Sequence, residues 1–233
     1  MGNRFIRGEK TALETEPHDV DMRGIAAAVS HARSVADYVI VSIHGHESAG
    51  PDKSIPAEFL KIFARSMIDA GADMIAGHGP HVLRGIELYK GRPIFYSLGN
   101  FILPSASGSL GHTPSAIYEI FGLDARRDGG SKLAKKWRDL ATDGKKLAKL
   151  LNGTAENRSI IVTLKWDDKR LVGIDLHPII IGDDNLPLTK GRPMLANKIV
   201  GKDIIESLEL LSKPFGTSII YDKSMGIGRI KLP

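Results

Sequence analysis

Between Asp21 and Ala36, apolar residues return every three or four positions, at Met22, Ile25, Ala26, Val29 and Ala32. That period predicts an amphipathic helix. The pattern then changes to a short, β-branched run, Tyr38-Val39-Ile40-Val41-Ser42-Ile43, which predicts a strand buried on both faces. A loop from His44 to Ile55 follows, with Gly45, Gly50 and Pro51. Pro56 suits the first turn of a second helix, because its missing N–H is not needed there. This helix should run to about Ala70, with Phe59, Leu60, Phe63, Met67 and Ala70 facing the core and Gly71 as its stop. Met74-Ile75-Ala76 and Ile94-Phe95-Tyr96-Ser97 read as two more strands. The order strand, helix, strand predicts a right-handed parallel crossover. Ile86–Tyr89 and Pro93–Tyr96 flank Lys90-Gly91-Arg92, which predicts a hairpin.

The second half has a different texture. From about Ala125 to Asn152 the period is helical and the charge is basic. Leu133, Trp137, Leu140, Leu147 and Leu151 form one stripe, interrupted by Gly144. Ser159–Trp166 and Leu171–Ile181 predict an antiparallel pair turned at Asp167-Asp168. Within it, Val172, Ile174 and Leu176 share one face, so Asp175 and His177 belong to the other. A helix over Gly201–Ser212 and a strand over Ser218–Tyr221 complete the expected elements.

Composition narrows the chemistry. The 233 residues can bury a substantial core without cross-links. There is no cysteine, which excludes disulfide frameworks, zinc ribbons and thiol catalysis. Any metal would have to be held by His, Asp, Glu and Asn. No apolar run reaches the roughly 18 residues of a membrane span, and no signal-like apolar core follows Met1. The net charge of +5 is uneven: Arg126 to Lys149 holds nine basic and three acidic residues, so this segment outweighs the rest of the chain. Its plain reading is a solvated amphipathic face. Contact of 126–149 with an anionic membrane surface or an anionic polymer is the functional alternative. No helix-turn-helix or RNA-binding signature accompanies the charge, so specific nucleic-acid binding is not expected. Dinucleotide, phosphate-loop and serine-elbow fingerprints are also absent; Val82 stands where a dinucleotide fingerprint needs its third glycine.

Five polar side chains fall directly after predicted strands: His44, His46, His78, His81 and Asn100. Sites in open α/β sheets form beyond the carboxyl ends of strands. Neighbouring parallel strands lie about 5 Å apart, close enough for side chains at their ends to share an ion. Taken alone, each histidine is most simply a surface loop residue, and each Gly-His pair a turn. Four of the eight histidines, however, lie in two strand-end loops separated by one helix.

Three of these stretches also resemble a known family. Val39-Ile-Val-Ser-Ile-His44-Gly-His46-Glu47 is similar to the "HxGxE" or "HxHE" loop of CapA-type capsule (poly-γ-glutamate) proteins. Asp69-Ala-Gly-Ala-Asp73, leading into Gly77-His78-Gly-Pro-His81-Val-Leu-Arg-Gly-Ile-Glu87, resembles that family's "DAGAD…GHHPHVLQGIE" segment. Ile94-Phe-Tyr-Ser-Leu-Gly-Asn100-Phe101 resembles its "YSLGNF". The resemblance is clear over Tyr38–Ile102 and looser over Ile160–Ile230.

The resemblance implies an α/β chain with a metallophosphatase-like layered α-β-β-α sandwich. One such domain would span 1–233, with a basic helical insertion at about 122–157. It implies His44, His78 and His81 as metal ligands, and His46 and Glu47 as the catalytic proton donor, ligand or ligand support. Asn100 is either a supporting hydrogen-bond partner or a residue that only pins its loop. The expected cofactor is a divalent transition metal, manganese, zinc or iron, as a dinuclear pair in the complete protein. The expected substrate is a phosphoester or an anionic polymer, and the expected place is the bacterial cell envelope or its outer face.

The family's Asp-containing first strand, its Asn-Leu-Glu-like segment and its Asn-Asn-His segment have no counterpart here. The sandwich is therefore expected to be incomplete at its amino-terminal side, with some ligands missing. A missing amino-terminal half or self-association would supply them. The implied activity is a metal-dependent hydrolase of poly-γ-glutamate or capsule metabolism. The alternative is a non-enzymatic capsule-assembly or polymer-binding component that keeps the fold.

Overall fold

A computed structural model describes residues 14–102, 115–142, 155, 157–181 and 192–232. Its elements run in the order α1 (Asp19–Val35), β1 (Ile40–His44), α2 (Glu58–Asp69), β2 (Met74–His78), β3 (Ile86–Tyr89) and β4 (Arg92–Phe95). Then come α3 (Ser115–Ile120), α4 (Gly130–Thr142), β5 (Arg158–Asp167), β6 (Arg170–Ile181), β7 (Pro193–Leu195), α5 (Lys198–Ser212), β8 (Ile219–Asp222) and β9 (Ile227–Ile230). The class is α/β, as expected.

The strands form two sheets. The first has the order β1-β2-β4-β3; β1, β2 and β4 run parallel, and β3 returns antiparallel to β4. The second is antiparallel, in the order β5-β6-β9-β8, with β7 beside β6. The crossover β1–α2–β2 matches expectation, since a hairpin cannot join parallel neighbours. Helices α1 and α2 cover the outer face of the first sheet, where Val29, Phe63, Met67, Ile75 and Ile94 form one core. A second core joins Ile86 and Phe95 of the first sheet to Ile174 and Leu176 of the second, with Ile204, Ile205 and Leu208 of α5. Helix α5 thus packs on both sheets, and Ser212 Oγ at its end accepts from the Ile86 N–H at 3.0 Å.

Several expectations need correction. Strand β1 is not buried on both faces. It is an edge strand, and Ile40 is 60% exposed. On α2 the buried residues are Leu60, Phe63, Ala64, Met67 and Ile68, whereas Phe59 is half-buried. The core stripe is therefore rotated slightly from the one read off the sequence. The β3–β4 turn is Lys90-Gly91, both at positive φ, and Arg92 already pairs with Tyr89. The second hairpin turns at Asp168-Lys169, one residue later than expected, again with both residues at positive φ. Strands β7 and β9 and helix α3 go beyond the sequence pattern: β7 and α3 are too short to show a period, and Gly228 interrupts the apolar run of β9. Of the basic stripe, Leu133 is fully buried on α4, while Leu147 and Leu151 lie outside the described residues. Asp175 and His177 do lie on the outer face of β6: Asp175 pairs with Lys165 at 2.6 Å and His177 contacts Thr163 at 3.2 Å.

A groove of about 650 Å³ opens beside β1 and β5, edge strands that have no outer neighbour among the described residues. Ile40, Met74, Leu98, Phe101, Leu164 and Trp166 are among its walls. The core between the sheets therefore reaches solvent on this side.

The opposite end of β1 and β2 from the histidines is tied by one carboxylate. Asp73, 3% exposed, accepts from Arg33 Nη1 at 2.7 Å and from the Val39 N–H at 2.8 Å, and pairs with Arg92 Nη1 at 3.0 Å. One side chain thus joins α1 and the starts of β1, β2 and β4. Removing it leaves two guanidinium groups and a backbone donor without their acceptor. Asp73→Ala should cost about 2–4 kcal/mol in urea unfolding, and Asp73→Asn less, because one amide oxygen still accepts. A loss below about 0.5 kcal/mol for Asp73→Ala would show that water replaces the carboxylate freely.

Candidate metal centre

Strand register builds the site. The last residue of β1, His44, lies directly opposite the last residue of β2, His78. Parallel neighbours stand about 4.8 Å apart, so the two rings must meet. Their Nδ1 atoms are 2.9 Å apart. On the far side of the His44 ring, Nε2 lies 3.0 Å from His46 Nε2. The His46 ring in turn neighbours His81, with centroids 5.4 Å apart. His81 Nδ1 is 2.8 Å from Asn100 Oδ1. The residues expected to carry the chemistry therefore form one row, His78–His44–His46–His81–Asn100, along a single sheet edge. His81 joins the row through His46. Glu47 is exposed on the same loop.

Two glycines allow the loops to approach. The Gly45 N–H donates to the His78 carbonyl at 2.8 Å. Gly79 adopts φ +126°, and a Cβ there would lie 2.8 Å from the Gly45 oxygen. Only glycine tolerates both the conformation and the backbone contact.

Asn100 contacts both the ring and the backbone of His81. Its amide oxygen accepts from the His81 ring, and its Nδ2 donates to the His81 carbonyl at 3.4 Å. His81 itself holds a left-handed φ of 66°, an unusual conformation for a residue other than glycine. The acceptor oxygen at Nδ1 fixes the proton there and leaves Nε2 with its lone pair.

Sequence reading missed Ser42. It sits two residues before His44 on the same face of β1, and its Oγ lies 2.9 Å from His78 Nε2. The period of two was the available signal. If this hydroxyl accepts from Nε2–H, the His78 Nδ1 lone pair points at His44. Two facing Nδ1 atoms at 2.9 Å require a proton or a cation between them. Nitrogens each about 2.0–2.1 Å from one ion and this far apart subtend roughly 90° at it, an angle that suits a six-coordinate ion better than a tetrahedral one. Among the described residues, no three His, Asp or Glu side chains close around one point. The donors meet in pairs, and an ion held here would need further oxygen ligands.

Burial, and after it the nearby charge of His44, hold the His78 imidazole below its ordinary range. At neutral pH His78 is therefore neutral, the state in which an imidazole ligates metal.

Residues 3–105 match the family model described as bacterial capsule synthesis protein PGA_cap. Protein y4sH of Sinorhizobium fredii is 31% identical over 232 residues, which are 98% of this chain and 49% of that protein. The PGA biosynthesis protein CapA of Bacillus subtilis is 49% identical over 74 residues, 32% of this chain and 19% of that protein. The capsule biosynthesis protein CapA of Bacillus anthracis is 44% identical over 84 residues, 36% and 20% of the respective chains. The chain spans about half the length of the curated relative that it matches from end to end.

Two outcomes are expected from the site alone. Gly79→Ala should separate the two histidine loops and lower the thermal midpoint by several degrees, since the clash is with backbone and cannot be relieved by a rotamer. An unchanged midpoint and unchanged histidine NMR signals would contradict this. For His78, the folded pKa is below the unfolded value near 6.5, so the unfolded chain binds more protons over that interval. Stability should therefore fall as pH drops through about 6.5, and stop falling once pH is below the folded pKa. His78→Gln should flatten this part of the urea-unfolding profile; an identical slope in the variant would remove His78 as its source.

Proposed function

Because residues 3–105 carry the match to PGA_cap, we propose that this chain serves capsule or poly-γ-glutamate synthesis, with its histidine row holding a divalent transition metal in a hydrolase-type site. The facing Nδ1 atoms of His44 and His78 carry this reading. Their separation fits two ligands of one ion, and imidazole suits manganese, zinc or iron. His44, His78 and His81 would hold the metal, with Asn100 orienting His81. A bound ion of this kind polarises a phosphoryl or acyl oxygen and acidifies water. His46 and Glu47 stand on the loop from which a proton could reach a leaving group, provided the substrate comes within hydrogen-bond distance.

The pairwise meeting of the donors favours weak ion binding by this chain alone. It also favours a second reading, in which the chain is an assembly or polymer-binding component without turnover. The exposed Lys132, Lys135 and Lys136 of α4 would then contact the anionic polymer. Neutralising them should weaken polyglutamate binding in that reading and leave ion binding unchanged in the first. Among the described residues no helix is long and apolar enough to cross a membrane. We place the protein at the cell envelope on the strength of the capsule-related names of its relatives. The open edge of β1 should be covered by further polypeptide or by self-association, an unpaired edge being a template for pairing. Light scattering that finds a monomer at all concentrations would count against self-association.

Calorimetric titration with Mn²⁺ and Zn²⁺ tests the metal site. The wild-type chain should bind one or two ions, and His44→Ala and His78→Ala should each weaken binding by about tenfold or more. Equal affinity in both variants would refute the assignment. With simple phosphoesters the chain alone should turn over little, because a poorly held ion acidifies water less. Robust hydrolysis abolished by His78→Ala would show instead that these ligands suffice.

A further inference from the structure

Arg84 is fully buried, the largest side chain with so little exposure among the described residues. A guanidinium in such a place is costly unless its donors are satisfied. Nε donates to the Lys53 carbonyl at 2.8 Å. Nη2 donates to the Glu47 carbonyl at 2.7 Å and to the His46 carbonyl at 3.4 Å. Every acceptor is a backbone oxygen of the loop between β1 and α2. Nη1 has no hydrogen-bond partner among the described residues. Burial lowers the guanidinium pKa and the Glu47 charge opposes that shift, so the side chain is strongly desolvated and still cationic.

The origin of the side chain matters as much as its targets. Arg84 follows the Gly77–His81 loop, and its own N–H donates to the Ser97 carbonyl at 3.2 Å. The adjacent Leu83 bridges Leu98, just before Asn100. The base of Arg84 is thus fixed to the segment carrying His81 and Asn100, and its tip grips the segment carrying His46. The loop has its own closure, with Ser48 bridged to Pro56 and Ala49 N–H donating to the Ile55 carbonyl. Nothing in that closure sets its distance from His81. Arg84 does, by holding carbonyls at both ends of the loop, at residues 46–47 and at residue 53.

We propose that Arg84 is a positioning residue that locks the His46 loop onto the His81 loop and so sets the spacing of the histidine row. The planar fork of an arginine suits this, because its donors diverge at fixed angles toward separate carbonyls. A lysine reaches fewer carbonyls, and a methionine none. This positioning acts on the geometry of the row, with or without a bound ion.

The test uses the full chain, uniformly ¹⁵N-labelled, as wild type, Arg84→Lys and Arg84→Met. Both variants should keep the amide spectrum of β5 and β6, which lie away from the loop. The ring-nitrogen signals of His44 and His46 should move, and amide exchange over residues 46–53 should accelerate about tenfold or more in Arg84→Met. Arg84→Lys should fall between wild type and Arg84→Met. Ring signals and loop exchange identical to wild type in a folded Arg84→Met would overturn the proposal. So would a spectrum lost throughout the chain in both variants, since Arg84 would then support the whole core and not the row.

Discussion

The parallel register of Ile40–His44 against Met74–His78 is the constraint on which the site depends. A βαβ crossover leaves two strands running the same way, so their last residues finish at one edge. Because both strands end on histidine at the same level, two imidazoles are forced together at 2.9 Å. The loops that follow start from that fixed point. They carry His46 and His81 into the same row, where Gly45 and Gly79 let the backbones approach and Arg84 spans the two loops.

The two ends of these strands divide the work. At their beginnings, Asp73 gathers Arg33, Arg92 and the Val39 N–H into a satisfied charge cluster that ties helix to sheet. At their ends, the polar groups face one another across short distances, and several are exposed. The first arrangement is complete within the chain. In the second, His44 meets His78 and His46 nitrogen against nitrogen, contacts that require a shared proton or a cation. That contrast, more than any single distance, distinguishes the two ends of these strands.

Much of the site was legible in the sequence because strand-end position is a local property. A β-branched run ending in His-Gly-His, and a second short strand ending in Gly-His-Gly-Pro-His, place four imidazoles at strand ends whatever the rest of the fold. The hairpins were also legible, though Asp168-Lys169 turned one residue later than the sequence implied, since register between two long strands is decided by cross-strand packing as well as turn preference. Ser42 could have been found by its period of two from His44. Arg84 could not: an arginine among apolar residues reads as a solvent-facing charge, and only the loop folding over it turned it into a buried clamp.

The sequence by itself determined the elements and their chemistry: the crossover β1–α2–β2, the hairpin of β3 and β4, the histidines at strand ends, and the absence of any thiol. Periodicity and residue type carry that information over a few neighbouring positions. Tertiary structure alone decided that β1 is an edge strand beside an open groove, that α5 packs on both sheets, and that His46 stands between His44 and His81. Those facts depend on contacts between segments far apart in the chain, as when Ser212 meets Ile86 across 126 positions. No local pattern encodes such a distance, because it is set by which surfaces pack together when the core closes.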